Sequence, residues 1–215
     1  MIRALLFDLD GTLAETDTLH FEGWRNLLSG QGIEADWDFY QRRVSGRLNP
    51  DIAADLLPHL SKTESQRLLD DKETEFRRRT SELSPLPGLT EVLKESRRRG
   101  MKTALVTNAP AENARAMTEA LELAGFFDAE VLAADLPAGK PDPAAYSAAL
   151  ERLEVGAAEA LAFEDSPSGI ASAVGAGVVT VGIASTHEPR KLLEAGASHA
   201  YPDFDDAELR ARIFG

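Results

Sequence analysis

The chain has 215 residues, enough for one mid-sized domain or for a core with a smaller insert. Lys and Arg total 23 against 36 Asp and Glu, a formal net charge of −13, so nucleic acid and anionic membranes are not expected partners. There is no cysteine, which excludes disulfides, thiol catalysis and cysteine-ligated metal centres.

The first predicted element is a buried strand at residues 2–7, where a short apolar run stops at Asp-Leu-Asp-Gly. Residues 15–84 then contain helical patterns and no convincing strand. Predicted helices in this segment are 17–29, 50–57 and 63–83. The sequence Pro-Leu-Pro-Gly at 85–88 is typical of a hinge leading out of the segment. These patterns predict a helical insert after the first strand.

Strands and helices alternate after the hinge. The predicted helices are 89–99, 111–124 and 143–153, and the predicted strands are 102–107, 160–163 and 178–181, with a weaker one at 130–133. This alternation indicates a parallel sheet covered by helices on both faces. The predicted organisation is an α/β core formed by residues 1–14 and 88–215, interrupted by a helical domain at 15–87.

Polar residues follow several of the predicted strands, at the edge where open α/β sheets bind ligands. They are Asp8 and Asp10, Thr107 and Asn108, Lys140 in Gly-Lys-Pro-Asp, and Glu164 and Asp165. A carboxylate such as Asp8 can attack phosphorus, provided that Mg²⁺ offsets its repulsion from the phosphate. Thr107 and Asn108 would hydrogen-bond the phosphoryl oxygens. The set therefore predicts a phosphate-transfer site.

Each charged residue of this set has a predicted role. Asp8 is the nucleophile, and Asp10, which points to the same side of an extended strand, is the general acid and base. Asp8 and Asp165 supply carboxylates to the metal, with Glu164 beside them. Lys140 neutralises the remaining charge on Asp8 and on the phosphoryl oxygens.

These motifs, in this order and at strand ends, resemble the four motifs of the haloacid dehalogenase-like phosphohydrolase superfamily. The insert after the first motif is similar to that of the β-phosphoglucomutase and phosphoglycolate phosphatase branch. The resemblance spans the whole chain and implies a Rossmann-like parallel sheet core with an inserted, mobile α-helical cap domain. It also implies a Mg²⁺ cofactor, with the backbone carbonyl of Asp10 in the metal shell.

The resemblance extends to cap residues that select the substrate in this branch. Residues 15–20 resemble a segment ending in a histidine that faces the site, and residues 45–49 resemble a loop that reaches the substrate. His20, Gly46, Arg47 and Asn49 are therefore candidate substrate contacts. Packing is the alternative for His20, and a surface salt bridge is the alternative for Arg47.

Phosphatase and mutase relatives differ at a few positions. Ser45, Asn49 and Glu112 stand where mutases resembling this chain carry cations that hold a second phosphate, and Thr12 resembles the phosphatases. We therefore predict a Mg²⁺-dependent phosphatase that hydrolyses a small phosphorylated metabolite, such as a sugar phosphate or phosphoglycolate, through an aspartyl-phosphate. The alternative is a β-phosphoglucomutase-like phosphomutase. A non-catalytic binding module and a magnesium-independent dehalogenase are the remaining hypotheses.

The apolar N-terminal run is too short for a signal peptide, and no run reaches the length of a membrane span. We expect a soluble, cytoplasmic monomer whose partner is a small phosphorylated metabolite.

Overall fold

The computed structural model describes residues 1–215, which form two compact units. The sheet unit comprises Met1–Glu15 and Leu83–Gly215, and the helical unit comprises Thr16–Glu82. No helix in either unit combines the length and the apolar character that crossing a membrane requires.

The chain returns to the sheet unit after Glu82. Two backbone hydrogen bonds hold the returning segment. The amide of Leu86 donates to the carbonyl of Leu13, and the amide of Phe204 donates to the carbonyl of Pro87. The segment after Glu82 is thereby tied to the sheet unit before the predicted hinge ends.

The helical unit contains four helices. They are α1 (Asp17–Ser29), α2 (Trp37–Arg43), α3 (Asn49–Leu56) and α4 (Lys62–Arg79). Their apolar sides form a small core that includes Trp24, Leu28 and Leu69. Trp37, the first residue of α2, is 44% exposed, and its ring contacts those of Phe21 and Tyr40.

The sheet unit has six parallel strands. They are β1 (Ala4–Phe7), β2 (Lys102–Thr107), β3 (Ala129–Leu132), β4 (Ala160–Glu164), β5 (Val179–Ile183) and β6 (His199–Tyr201). Their order is β3-β2-β1-β4-β5-β6, the order of a Rossmann fold. The predicted α/β class is confirmed, and β6 is a strand that the sequence does not predict.

Six further helices cover this sheet. They are α5 (Leu89–Arg98), α6 (Ala111–Ala120), α7 (Ala144–Leu153), α8 (Pro167–Gly175), α9 (Pro189–Glu194) and α10 (Ala207–Phe214). The helix predicted at 111–124 ends early because Glu122 has a positive φ of 57°, which an α-helix cannot accommodate. The helix predicted at 63–83 ends at Arg79, where the chain tightens into a 3₁₀ turn.

Side chains alternate between the two faces of the sheet, as the pleat requires. Leu6, Ala162 and Val106 pack on one face with the α7 residues Tyr146 and Ala149. On the opposite face, the rings of Phe7 and Phe163 stack at 4.9 Å, and that of Phe204 lies edge-on to Phe163 at 5.2 Å.

The strand order reverses between β1 and β4, where Phe7 lies opposite Phe163. In open α/β sheets, ligands bind outside the carboxyl ends of the strands at such a switch point. Asp8 directly follows β1, while Glu164 ends β4 and Asp165 follows it. The topology therefore brings the predicted carboxylates to the position where this architecture binds ligands.

Candidate active site

The buried ammonium group of Lys140 links the ends of three neighbouring strands. Its Nζ donates to Asp8 Oδ1 at 2.6 Å, to Glu164 Oε1 at 2.6 Å and to the Val106 carbonyl at 2.7 Å. An ammonium group has three N–H donors, so all of them have a partner. The side chain of Lys140 is only 4% exposed. Charge-assisted bonds of this length, shielded from water, fix the relative positions of the two carboxylates.

Burial and neighbouring charges together determine the protonation equilibria of Asp8 and Lys140. Burial raises the pKa of Asp8 to about 7, although the nearby Lys140 ammonium opposes the rise and Glu164 reinforces it. Burial alone would lower the pKa of Lys140, but the charges of Asp8 and Glu164 raise it overall. Lys140 is therefore a cation at neutral pH, and further positive charge near Asp8 would favour its charged form.

The carboxylates of Asp8, Glu164 and Asp165 form a buried cluster in which one oxygen atom from each lies within 4.8 Å of the other two. Gly11, with a φ of +74°, leaves room for it, because a Cβ at that position would overlap the carboxylate of Asp165. Oxygen ligands at this spacing suit Mg²⁺, and one lysine cannot neutralise three carboxylates. The donor set therefore fits a divalent cation. Asp10, half-buried, lies two residues beyond Asp8.

Glu164 is held by more than Lys140. Its Oε1 also accepts a hydrogen bond from the hydroxyl of Tyr146 at 2.6 Å, and Ser166 Oγ lies 3.4 Å from its Oε2. Tyr146 is a site residue that the sequence does not predict. Its spacing with Ala149 on α7 marks it as core, and no sequence pattern indicates where its hydroxyl points.

Thr107 and Asn108 lie at the end of β2, next to β1. Thr107 Oγ1 accepts from the Ala109 amide at 2.9 Å, which leaves its hydroxyl proton available to another acceptor. The side chain of Asn108 accepts from the Lys140 amide at 3.0 Å and donates to the Lys140 carbonyl at 3.3 Å. Asn108 thus fixes the backbone of the loop that carries Lys140, and its predicted contact with substrate stays a prediction.

The four candidates in the cap belong to the helical unit. The ring of His20 stacks on Phe76 at 4.3 Å, and Asn49 donates to Glu73 at 2.5 Å. Arg47 makes the salt bridge that was its alternative role, to Asp55 at 2.9 Å. Gly46 has a φ of +74°, in the left-handed region that favours glycine.

Comparison with known proteins gives a family match over most of the chain. The family model of the haloacid dehalogenase-like hydrolases matches residues 2–177. A phosphorylated carbohydrates phosphatase from Thermotoga maritima is 34% identical over 91% of this chain and 92% of its own length. A validoxylamine A 7′-phosphate phosphatase from Streptomyces hygroscopicus subsp. limoneus is 30% identical, also over 91% and 92%.

A solved structure extends the likeness to three dimensions. It is a mutant of CbbY from Rhodobacter sphaeroides in complex with xylulose-(1,5)bisphosphate. Its TM-score is 0.83 at 27% sequence identity, and the match covers 96% of both chains.

Proposed function

This chain belongs to the haloacid dehalogenase-like hydrolase family, and we propose that it hydrolyses the phosphate ester of a small phosphorylated carbohydrate. It is a phosphoric monoester hydrolase, and two of its relatives are named as phosphatases. The observation that carries the proposal is the placement of the Lys140 ammonium between Asp8 and Glu164. Asp165 lies beside them, at the switch point of the sheet.

Asp8 is the nucleophile in the proposed reaction. One of its oxygens attacks phosphorus, the bond from phosphorus to the ester oxygen breaks, and an aspartyl-phosphate forms. Asp10 gives its proton to the leaving oxygen. Asp10 then takes a proton from a water molecule, which attacks phosphorus, releases phosphate and restores the carboxylate of Asp8.

Mg²⁺, held by the carboxylates of Asp8 and Asp165 and the carbonyl of Asp10, would supply the charge that lets an anion approach a phosphate. Glu164 has a different role. Because it is bonded to Lys140, Tyr146 and Ser166, it orients Lys140 rather than serving as a main ligand.

The substrate class follows from the relatives and from the cap. Two relatives are named for phosphorylated carbohydrates and for validoxylamine A 7′-phosphate, and a solved neighbour holds a sugar bisphosphate. We propose a monophosphate for this chain, with His20, Gly46 and Asn49 as candidate contacts. Arg47, the other candidate contact in the cap, is bonded to Asp55.

The proposal is tested by measuring phosphate release from a panel of sugar phosphates and other phosphorylated metabolites, with Mg²⁺ or with EDTA. We expect release from a subset of the panel with Mg²⁺ and none with EDTA. Isomerisation of a sugar phosphate without phosphate release would identify a mutase instead. No turnover of any ester by folded protein would overturn the proposal.

Two substitutions separate the catalytic roles. Asp8→Asn should abolish release, since an amide cannot attack phosphorus. Asp10→Asn should let the phospho-enzyme accumulate and lower kcat about 10²–10⁴-fold, because the general base is lost. Quench-flow with a ³²P-labelled substrate measures the phospho-enzyme directly. A kcat of Asp10→Asn equal to that of the wild type would exclude the acid–base role.

A further inference from the structure

Tyr146 lies in α7 next to the candidate site, and its hydroxyl has no role in the proposed reaction steps. The side chain is completely buried, and its hydroxyl donates to Glu164 Oε1 at 2.6 Å. Its ring faces the Lys140 ammonium, with Nζ 5.3 Å from the ring centre. Tyr146 therefore contacts both members of the Lys140–Glu164 ion pair.

Two donors share a single oxygen atom in this arrangement. Glu164 Oε1 accepts from Lys140 Nζ and from the Tyr146 hydroxyl, each at 2.6 Å. Burial raises the pKa of Tyr146 well above its ordinary value, so the hydroxyl keeps its proton and remains a donor. The hydroxyl offsets part of the charge on Glu164 without competing for Asp8.

Lys140 can bind a phosphoryl oxygen only by giving up one of its three partners, because an ammonium group has three N–H donors. The Val106 carbonyl belongs to β2, and Asp8 is the proposed nucleophile. Glu164 is the partner that keeps a close donor after Lys140 leaves, since Tyr146 still bonds the same oxygen. A buried carboxylate left without a donor would instead make the exchange costly.

We propose that Tyr146 is a positioning residue that allows Lys140 to exchange Glu164 for the phosphoryl group. This inference rests on the proposed phosphatase function. Without the hydroxyl, Glu164 Oε1 depends on Lys140 and retains it, because Ser166 bonds only the other oxygen, Oε2, at 3.4 Å. The ammonium is then less available when phosphorus is attacked.

The first test compares Tyr146→Phe with the wild type in steady-state hydrolysis of a substrate found in the panel. The variant keeps the buried ring and removes the hydroxyl. We expect kcat to fall about tenfold, with KM changed less than about twofold, the size typical of groups that orient a site from behind. An unchanged kcat, or a loss confined to KM, would overturn the proposal.

Tyr201→Phe is the matched control, because it removes the hydroxyl of another buried tyrosine of the sheet unit, one that accepts from Arg212 at 2.8 Å. It should leave kcat unchanged. If Tyr146 acts through Glu164, adding Tyr146→Phe to Glu164→Gln should lower kcat no further than Glu164→Gln alone. Additive losses would show that Tyr146 acts by another route.

A second readout needs no catalysis. In EDTA, ¹⁵N NMR of lysine-labelled protein should show the Lys140 ammonium signal, assigned by its loss in Lys140→Met, shifted in Tyr146→Phe and unshifted in Tyr201→Phe. An unshifted signal in Tyr146→Phe would overturn the proposed coupling. If the wild type hydrolysed no ester, the phosphatase proposal would fail, while this NMR comparison would still decide whether Tyr146 controls the environment of Lys140.

Discussion

Gly169, in the first turn of α8, is a residue at which the site has no room for a side chain. A Cβ there would overlap the carboxylate of Glu164. Glu164 is completely buried and carries the hydrogen bonds of Lys140 and Tyr146, so it cannot move aside without losing them. Glycine at this position is therefore tied to the geometry of the ion pair.

Gly169→Ala should destabilise the protein by about 1–3 kcal/mol, the usual cost of forcing extra atoms into a packed interior. It should also lower phosphate release at least about tenfold, because Glu164 would no longer orient Lys140. Urea unfolding and steady-state kinetics measure the two effects.

Gly175→Ala is the control in the same helix, since its Cβ would meet Pro143 at an ordinary 3.4 Å. Alanine is the better helix former, so this variant should be as stable as the wild type or more stable, by up to about 1 kcal/mol. Equal losses in the two variants would contradict the role assigned to Gly169.

The sequence predicts which residues form the site better than it predicts the contacts between them. Asp8, Lys140, Glu164 and Asp165 could be chosen from the sequence because polar residues after buried strands are unusual and occur here in a family order. The hydroxyl of Tyr146 could not, because its partner is 18 residues away in sequence and the two meet only through packing of α7 on the sheet. The catalytic and binding roles of all predicted site residues stay predictions.

At the scale of elements, prediction succeeds where the pattern is long. The predicted helix 17–29 coincides with α1, whose buried residues Leu19, Trp24 and Leu28 follow helical spacing. The strand β6, His199–Tyr201, has only three residues, which is too short for a detectable pattern of alternating apolar residues. The helix α2 is not among the predicted helices. It has only seven residues, rich in aromatic and charged side chains, and Tyr40 is its one buried residue, so it has no apolar periodicity to detect.

The start of α4 carries a capping box. The hydroxyl of Ser61 accepts from the Glu64 amide, and the Glu64 carboxylate accepts from the Ser61 amide at 3.0 Å. Ser61→Ala should lower the free energy of unfolding by about 1 kcal/mol, because the helix loses its N-cap acceptor. Far-ultraviolet circular dichroism during urea unfolding measures the change.

Lys62→Ala, one residue further on, is the control for Ser61→Ala, because it changes the first turn without touching the cap and should alter stability by less than about 0.5 kcal/mol. Neither substitution should change kcat. A Ser61→Ala protein as stable as the wild type would show that the cap contributes nothing measurable.

At the scale of the whole molecule, the resemblance to a known family predicts more of the fold than local sequence patterns do. Alternating strands and helices predict a parallel sheet, but they do not specify the order β3-β2-β1-β4-β5-β6, because order depends on how each crossover packs. The family match and the parallel sheet confirm the predicted membership and fold class. The cytoplasmic location, the monomeric state and the boundaries 15–87 of the cap stay predictions.

The stability of the whole chain should depend on pH through Asp8. Its pKa is raised from the ordinary 3.8 to about 7 by burial, so protonated Asp8 suits the metal-free fold. The stability that Asp8 contributes without metal is fully present below pH 3.8 and is lost as the pH rises through about 7. A divalent cation held by the charged form of Asp8 would reverse this trend.

Mg²⁺ should therefore raise the thermal unfolding midpoint more at pH 8 than at pH 6. Because one proton competes with the metal at Asp8, the apparent Kd for Mg²⁺ should increase about tenfold for each pH unit below 7. Differential scanning fluorimetry with Mg²⁺ titrations at several pH values measures both quantities. In Asp8→Asn the shift should be small at every pH, since the variant has lost both the titrating group and a proposed metal ligand. Equal Mg²⁺-induced shifts at pH 6 and pH 8 in the wild type would mean that Asp8 does not couple metal binding to its own protonation.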